Sequence, residues 1–305
     1  MPTKNPETYF APPELAAARA IYRGDAAGTR QAVTTQHINP NYVSPQGMTL
    51  LIFALANRQH ACVQALLELG ADPNLPTRLG GTKLTQPVAL VAGGEDTELL
   101  RLLLAAKGDP NSKEGDETAI SQAIHGRRFE HLRLLLDHGA DLNAVEGNGM
   151  TPVLMLAVFN QFEQVAYLIE RGADFRRPSN SGATVAYIVQ DHVLTDHNSE
   201  AYQWQQRVRR LLEERGVQFP VPNPAAANGQ KRNEVARYRQ QWLQQPEGRG
   251  WRARIDAAGN DTDRFRLRLD AQRAFHQWLQ TQLPPDHELV QYELKRSQIT
   301  GIEGF

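Results

Sequence analysis

Residues 115–174 read GDETAISQAIHGRRFEHLRLLLDHGADLNAVEGNGMTPVLMLAVFNQFEQVAYLIERGAD. Within this stretch Thr118 precedes Gly139 by 21 residues, and Thr151 precedes Gly172 by 21. Threonine to threonine and glycine to glycine, the interval is 33. Each unit carries an apolar pair three residues before its glycine (Leu135-Leu136, Leu168-Ile169) and then closes with Gly-Ala-Asp (Gly139 to Asp141, Gly172 to Asp174). The same spacing recurs upstream, where Thr49 precedes Gly70 by 21, with Leu66-Leu67 before it and Ala71-Asp72-Pro73-Asn74 after. A glycine after a helix takes the left-handed conformation that ends the helix. A threonine at a helix start caps free amides, and a following proline such as Pro152 presets φ for the first turn. The landmarks therefore mark helix pairs, with the leucine pairs filling the seam between neighbours.

A period near 33 with these landmarks resembles the ankyrin repeat, a β-turn finger followed by two antiparallel helices. The resemblance covers residues 15–219 and implies a mainly α solenoid of about six repeats, acting as a protein-binding module without catalysis. Leu15–Arg23 and Ala26–Val33 are expected to form a degenerate first repeat closing at His37-Ile38-Asn39, because a terminal repeat has one face in water. The third repeat closes at Gly108-Asp109-Pro110-Asn111, 38 residues after Gly70, so extra residues are expected near 80–86. The sixth starts at Gly182-Ala183-Thr184 and closes at Gly216, 44 residues after Gly172. That places a polar insertion near 191–203, before a helix over Trp204–Arg215.

Around this array the pattern changes. Residues 1–14 carry four prolines and read as an extended leader. Pro220, Pro222 and Pro224 with Ala225-Ala226-Ala227 read as a linker over 220–230. Residues 231–305 are expected to form a small α+β module: a helix over Lys231–Gln245, a hairpin, a helix over Ala271–Leu283 and a strand over His287–Gln298. The hairpin rests on period-two alternation, with Trp251, Ala253 and Ile255 against Arg252, Arg254 and Asp256. Phe265, Leu267 and Leu269 then alternate with Arg264, Arg266 and Arg268.

Bulk numbers exclude several classes. Formal net charge is −1, and residues 220–305 carry 13 basic and 10 acidic side chains, so nothing marks a nucleic-acid surface. The hairpin arginines read as an exposed sheet face with cross-strand charge pairs. No run of 18 apolar residues is present, so no membrane span is expected. Cys62 alone cannot form an intramolecular disulfide and reads as a small buried apolar residue. No nucleophile elbow, phosphate loop or zinc-protease motif occurs. No catalytic residue, metal site or cofactor is expected. His125, His131 and His138 read as helix residues, and Asp191-His192 with Asp196-His197 as a solvated loop. A rival reading places chemistry in the C-terminal module on Asp256, Asp261, Asp263 or His276.

The expected binding surface is a concave groove. In register, one position of each first helix holds Phe53, Leu90, Gln122, Met155 and Ile188, with Phe159 and Phe162 nearby, an apolar strip suited to a partner. Arg78, Glu114, Glu146, Asn148, Arg176 and Arg177 on the finger tips form its polar rim. A narrower resemblance rests on Tyr9-Phe10-Ala11-Pro12-Pro13-Glu14-Leu15 followed by Gly47-Met48-Thr49-Leu50-Leu51. This start is similar to that of small bacterial envelope ankyrin proteins encoded beside type VI secretion phospholipases, which they neutralise. The resemblance implies a periplasmic immunity protein whose partner is a toxic lipase. The leader itself lacks the cationic start and apolar core of a secretory signal, so that location implies a signal removed ahead of Met1. The alternative is a cytoplasmic scaffold docking a regulatory partner.

Overall fold

The computed structural model describes residues 5–78 and 83–299. Two compact units divide the chain: Met1–Ser179 with Thr184–Val217, and Asn180–Ala183 with Gln218–Phe305.

The first unit is a row of helix pairs: α1 (Glu14–Tyr22) with α2 (Ala26–Thr35), α3 (Leu50–Ala56) with α4 (His60–Glu68), α5 (Pro87–Ala92) with α6 (Thr97–Ala105), α7 (Ala119–His125) with α8 (Phe129–Asp137), α9 (Pro152–Val158) with α10 (Phe162–Glu170), and α11 (Val185–Asp191) with α12 (Glu200–Glu214). The first helix of a pair is apolar nearly all round; Leu50–Leu55 and Pro152–Ala157 are buried throughout. The cause is enclosure, since α7 packs on α5, α8 and α9, and α9 on α7, α10 and α11. Second helices are amphipathic and bury one stripe, as α8 does with His131, Leu132 and Leu135.

The expected caps hold at Thr49, Thr118 and Thr184, whose hydroxyls accept from Ile52, Ser121 and Tyr187 amides at 3.1, 3.2 and 3.2 Å. Thr151 departs from them: its hydroxyl is buried and makes no cap bond, and Pro152 alone starts α9. Gly70, Gly139, Gly172 and Gly216 close their repeats with φ of 91°, 91°, 93° and 85°. The next amide then bonds five residues back, as Ala71 does to Leu66 at 2.9 Å and Ala140 to Leu135 at 3.0 Å. In the third repeat Lys107 takes that role at φ 66°, and the Gly108 amide makes the bond to Leu103 at 2.8 Å. Gly108 therefore stands where the second, fourth and fifth repeats place Ala71, Ala140 and Ala173, one residue past the closing position that its spacing suggests. His37, at φ 51°, closes the degenerate first repeat in the same way.

An asparagine ladder stitches the repeats. Asn41, Asn74 and Asn111 donate to the carbonyls of Gly70, Lys107 and Gly139 at 3.0, 3.0 and 3.3 Å. Their side-chain oxygens accept from the Asp72, Asp109 and Asp141 amides at 2.7, 2.6 and 2.7 Å. Four two-residue strands, β1 (Thr77–Arg78), β2 (Leu84–Thr85), β3 (Lys113–Glu114) and β4 (Glu117–Thr118), join two fingers into an antiparallel sheet in chain order. The extra residues expected at 80–86 fall partly outside the described residues, with β2 covering their later half. The sixth repeat takes its extra residues in two places, the segment 192–199 between its helices and a lengthened α12, which starts at Glu200 with Ser199 as its cap, four residues earlier than expected.

The leader is not an extended lead-in. Pro6–Thr8 form a 3₁₀ turn capped by Asn5, and Glu7 pairs with Arg19 at 2.8 Å. Phe10 is buried, edge-on to Phe53 with centroids 5.6 Å apart.

The second unit is helical where an α+β module was expected. α13 (Pro224–Gln244), α14 (Trp251–Asp256), α15 (Asp261–Gln282) and α16 (Glu288–Ile299) surround a core of Val235, Trp242, Ile255, Ala271, Phe275, Leu279, Leu289 and Val290. The expected hairpin is instead α14 with the start of α15, and the expected last strand is α16. On α15 the core stripe of Ala271, Phe275 and Leu279 recurs every four residues and lies just beyond the alternating stretch. The linker is shorter than 220–230, because α13 opens within it: Pro224 sits at the first turn, Asn223 accepts from the Ala225 amide at 2.8 Å, and alanines follow. Arg239 reaches Glu293 at 2.6 Å inside the bundle and lies 5.0 Å from the Phe275 ring centroid.

Candidate partner-binding groove

The groove position expected to be apolar is the fourth residue after each first-helix cap. The structure separates its members. Phe53 is 1% exposed, closed off by Phe10 and by Tyr9, whose ring lies 6.3 Å away. Met155 is 4% exposed, enclosed because α9 is packed between α7 and α11. These two are core side chains, and they correct the expected strip. Leu90, Gln122 and Ile188 are half-buried. Phe159 is 41% exposed, whereas Phe162 on α10 is 1% exposed and is a further core side chain that corrects the expected strip.

Exposure moves one turn along. Seven residues after the caps stand Ala56, Gly93, His125, Val158 and Asp191, and from His125 onward these are exposed. Val158 is 43% exposed beside Phe159. The His125 ring meets Phe159 edge-on at 5.8 Å, and its Nδ1 lies 3.6 Å from Glu117 Oε2. Gln122 Nε2 donates to Glu117 at 2.8 Å and to Glu114 at 3.4 Å. One continuous surface thus runs from Val158 and Phe159 through His125 to two finger carboxylates. Glu117, His125 and Val158 were not among the expected contact residues. The same 33-residue register, advanced by seven residues from the cap, would have found the last two.

The rim residues divide as well. Glu146 accepts from the Thr118 amide and hydroxyl at 3.2 and 2.9 Å and from the Ser121 hydroxyl, so it serves as a second cap of α7. Arg176 occupies the asparagine-ladder position of the fifth repeat, donates to the Arg215 carbonyl and lies over Phe175 at 4.6 Å. Asn148 accepts from the Met150 amide at 2.9 Å within its own turn. Arg78 and Arg177 are exposed, and Glu114 is half-buried on β3.

Other polar candidates have structural partners. His131 is 1% exposed and bridges Ala92 O at 2.8 Å and Thr97 Oγ1 at 3.1 Å. His197 stacks on Tyr202 at 4.5 Å, while Asp196 caps the turn ahead of α12. The four residues of the C-terminal rival are not gathered by a strand pair: Asp256 ends α14, Asp263 bonds Asn260 at 2.8 Å, His276 is half-buried on α15, and the Asp261 side chain lies outside the described residues. Among the described residues no group of three His, Cys, Asp or Glu could hold a metal ion. Burial pushes the Cys62 thiol pKa up, against a hydrogen bond from Thr29 at 3.6 Å. Among the described residues no helix is long and apolar enough to cross a membrane.

Residues 46–78 match the family described as Ankyrin repeat, and residues 88–179 match Ankyrin repeats (3 copies). The putative ankyrin repeat protein YahD of Escherichia coli K12 is 30% identical over 156 residues, which cover 48% of this chain and 75% of YahD. The chain belongs to the ankyrin-repeat family. Another relative, protein PhlB of Serratia liquefaciens, is 35% identical over 149 residues, 48% of this chain and 63% of PhlB. This chain therefore spans less than two thirds of PhlB. The ankyrin repeat domain of Bcl-3 superposes with a TM-score of 0.55 at 20% identity, over 68% of this chain and 89% of that domain, a likeness of fold. Ankyrin repeats are protein-interaction modules, and the role that follows for this ankyrin chain is to bind protein.

Proposed function

We propose that this ankyrin protein is an immunity protein that binds and silences a secreted antibacterial toxin, a phospholipase of the type VI secretion class, in the periplasm. The observation that carries the reading is the start of the chain. Residues 9–15 and 47–51 resemble envelope ankyrin proteins of that role, and Tyr9 and Phe10 of this segment pack on Phe53 of the second repeat. A stoichiometric inhibitor needs a shaped surface and no turnover, and the exposed Val158 and Phe159 beside finger carboxylates supply such a surface. A stable complex of this kind buries roughly 800 Å² on each partner. Inhibition follows from covering the lipase active site or holding its closed form.

The test is co-purification with the product of the adjacent gene, then lipase assay of the mixture. A tight one-to-one complex with its activity suppressed is the expected result. A neighbour without lipase activity, or a lipase left fully active in the mixture, removes the proposal. Cell fractionation that finds the chain only in the cytoplasm removes the periplasmic part.

A further inference from the structure

We infer that the groove surface of the fourth and fifth repeats takes an arginine of the partner, presented beside an apolar side chain. The inference rests on the protein-binding reading above but not on the partner being a lipase. Val158 and Phe159 offer an exposed apolar shelf at the end of α9, 43% and 41% exposed. Next to it stand Glu117 and Glu114, tied together by Gln122 Nε2 at 2.8 and 3.4 Å. Both bonds use the Oε2 atoms, and His125 Nδ1 approaches the same Glu117 Oε2 at 3.6 Å. Each carboxylate thus keeps an Oε1 that accepts no hydrogen bond among the described residues. Neither forms an ion pair with a lysine or arginine of the described residues. The Lys83 chain instead runs past Gly115, with its Cδ 3.5 Å from where a Cβ would stand.

The charge left open on this surface is negative, and the His125 ring links it to the exposed ring of Phe159. A guanidinium fits both features, because it is planar, stacks on aromatic faces and offers paired donors to carboxylates. Lysine would satisfy the charge but not the ring and the fork together. An acidic partner segment would meet two carboxylates across the same surface and be repelled. Gln122 and His125 both meet Glu117 at Oε2, so this carboxylate is held in place before binding.

The experiment uses the full chain and three synthetic peptides of alternating leucine with arginine, with lysine or with glutamate, followed by fluorescence anisotropy at low and physiological salt. The arginine peptide is expected to bind at least about tenfold tighter than the glutamate peptide, and tighter than the lysine peptide. Glu114→Gln with Glu117→Gln should remove the preference, and Phe159→Ala should weaken the arginine peptide more than the lysine one. Each variant is checked by thermal melting, and only variants that keep the wild-type midpoint are compared. Glu117→Lys should shift preference toward the glutamate peptide. Equal binding of all three peptides, no binding of the arginine peptide, or a preference that survives the double glutamine variant overturns the inference. Failure here leaves the lipase assay unaffected, and failure of the lipase assay leaves these peptide affinities unaffected.

Discussion

Lys107 holds φ at 66° where four other repeats close on glycine, and Gly108 fills the space that alanine fills elsewhere. The two positions answer to different forces. A Cβ on residue 107 is the ordinary cost of a left-handed residue, about 1 kcal/mol. A Cβ on residue 108 would stand 2.7 Å from Val88 Cγ2 of α5 and 2.8 Å from Leu103 O of α6, between the two helices of its own repeat. Lys107→Gly should therefore raise stability by up to about 1 kcal/mol, and Gly108→Ala should lower it by roughly 1–3 kcal/mol as overpacking. Urea denaturation of both variants checks this, and equal effects would sink the assignment. Spacing alone could not make the distinction, since a lone glycine near a helix end serves either role. The same limit applies to Phe53 and Phe159, alike in chemistry, because burial of the first comes from Phe10 of the leader, 43 residues earlier in the chain.

Among the elements, α6 shows how one carboxylate couples a helix start to its neighbour. Asp96 caps α6 through the Leu99 amide at 3.3 Å and accepts from His60 Nε2 of α4 at 2.8 Å. Burial works to raise its pKa, but the His60 hydrogen bond, the Leu99 amide and the charges of His60 and Arg58 outweigh it, so the carboxyl sits below its ordinary 3.8. A group depressed in the folded state contributes stability above its unfolded pKa and loses it as pH falls through the folded value. Asp96→Asn keeps a capping oxygen and removes the charge. Its deficit in urea midpoint should be present at about pH 5 and shrink steadily in more acid solution. A deficit independent of pH would show that the charge is idle. α14 and α15 teach the opposite lesson. Their arginines alternate with apolar residues over only six positions each, too short a window to separate period two from period 3.6. The decisive stripe, Ala271 to Leu279, begins after that window ends.

Across the whole first unit, stability is a sum of nearest-neighbour seams. Leu135 is fully buried in α8, and its truncation to alanine should cost about 2–5 kcal/mol. The loss should be shared: hydrogen exchange is expected to quicken in α7 and α9 as well as in α8, and quickening confined to α8 would contradict the coupling. Thr118, Gly139, Asp141 and their counterparts were readable in the chain because each meets a local backbone demand, a cap, a left-handed turn or a ladder bond, that repeats at a constant interval. The helix-pair array follows from those demands, and the protein-binding class from the ankyrin family to which the array belongs. Which groove residues face water was decided by packing at long range, through Phe10 over Phe53, neighbouring helices around Met155, and Gln122 drawing Glu114 and Glu117 together. Local conformational preference acts within a few residues and so survives in the sequence pattern, whereas burial is settled only when distant segments meet.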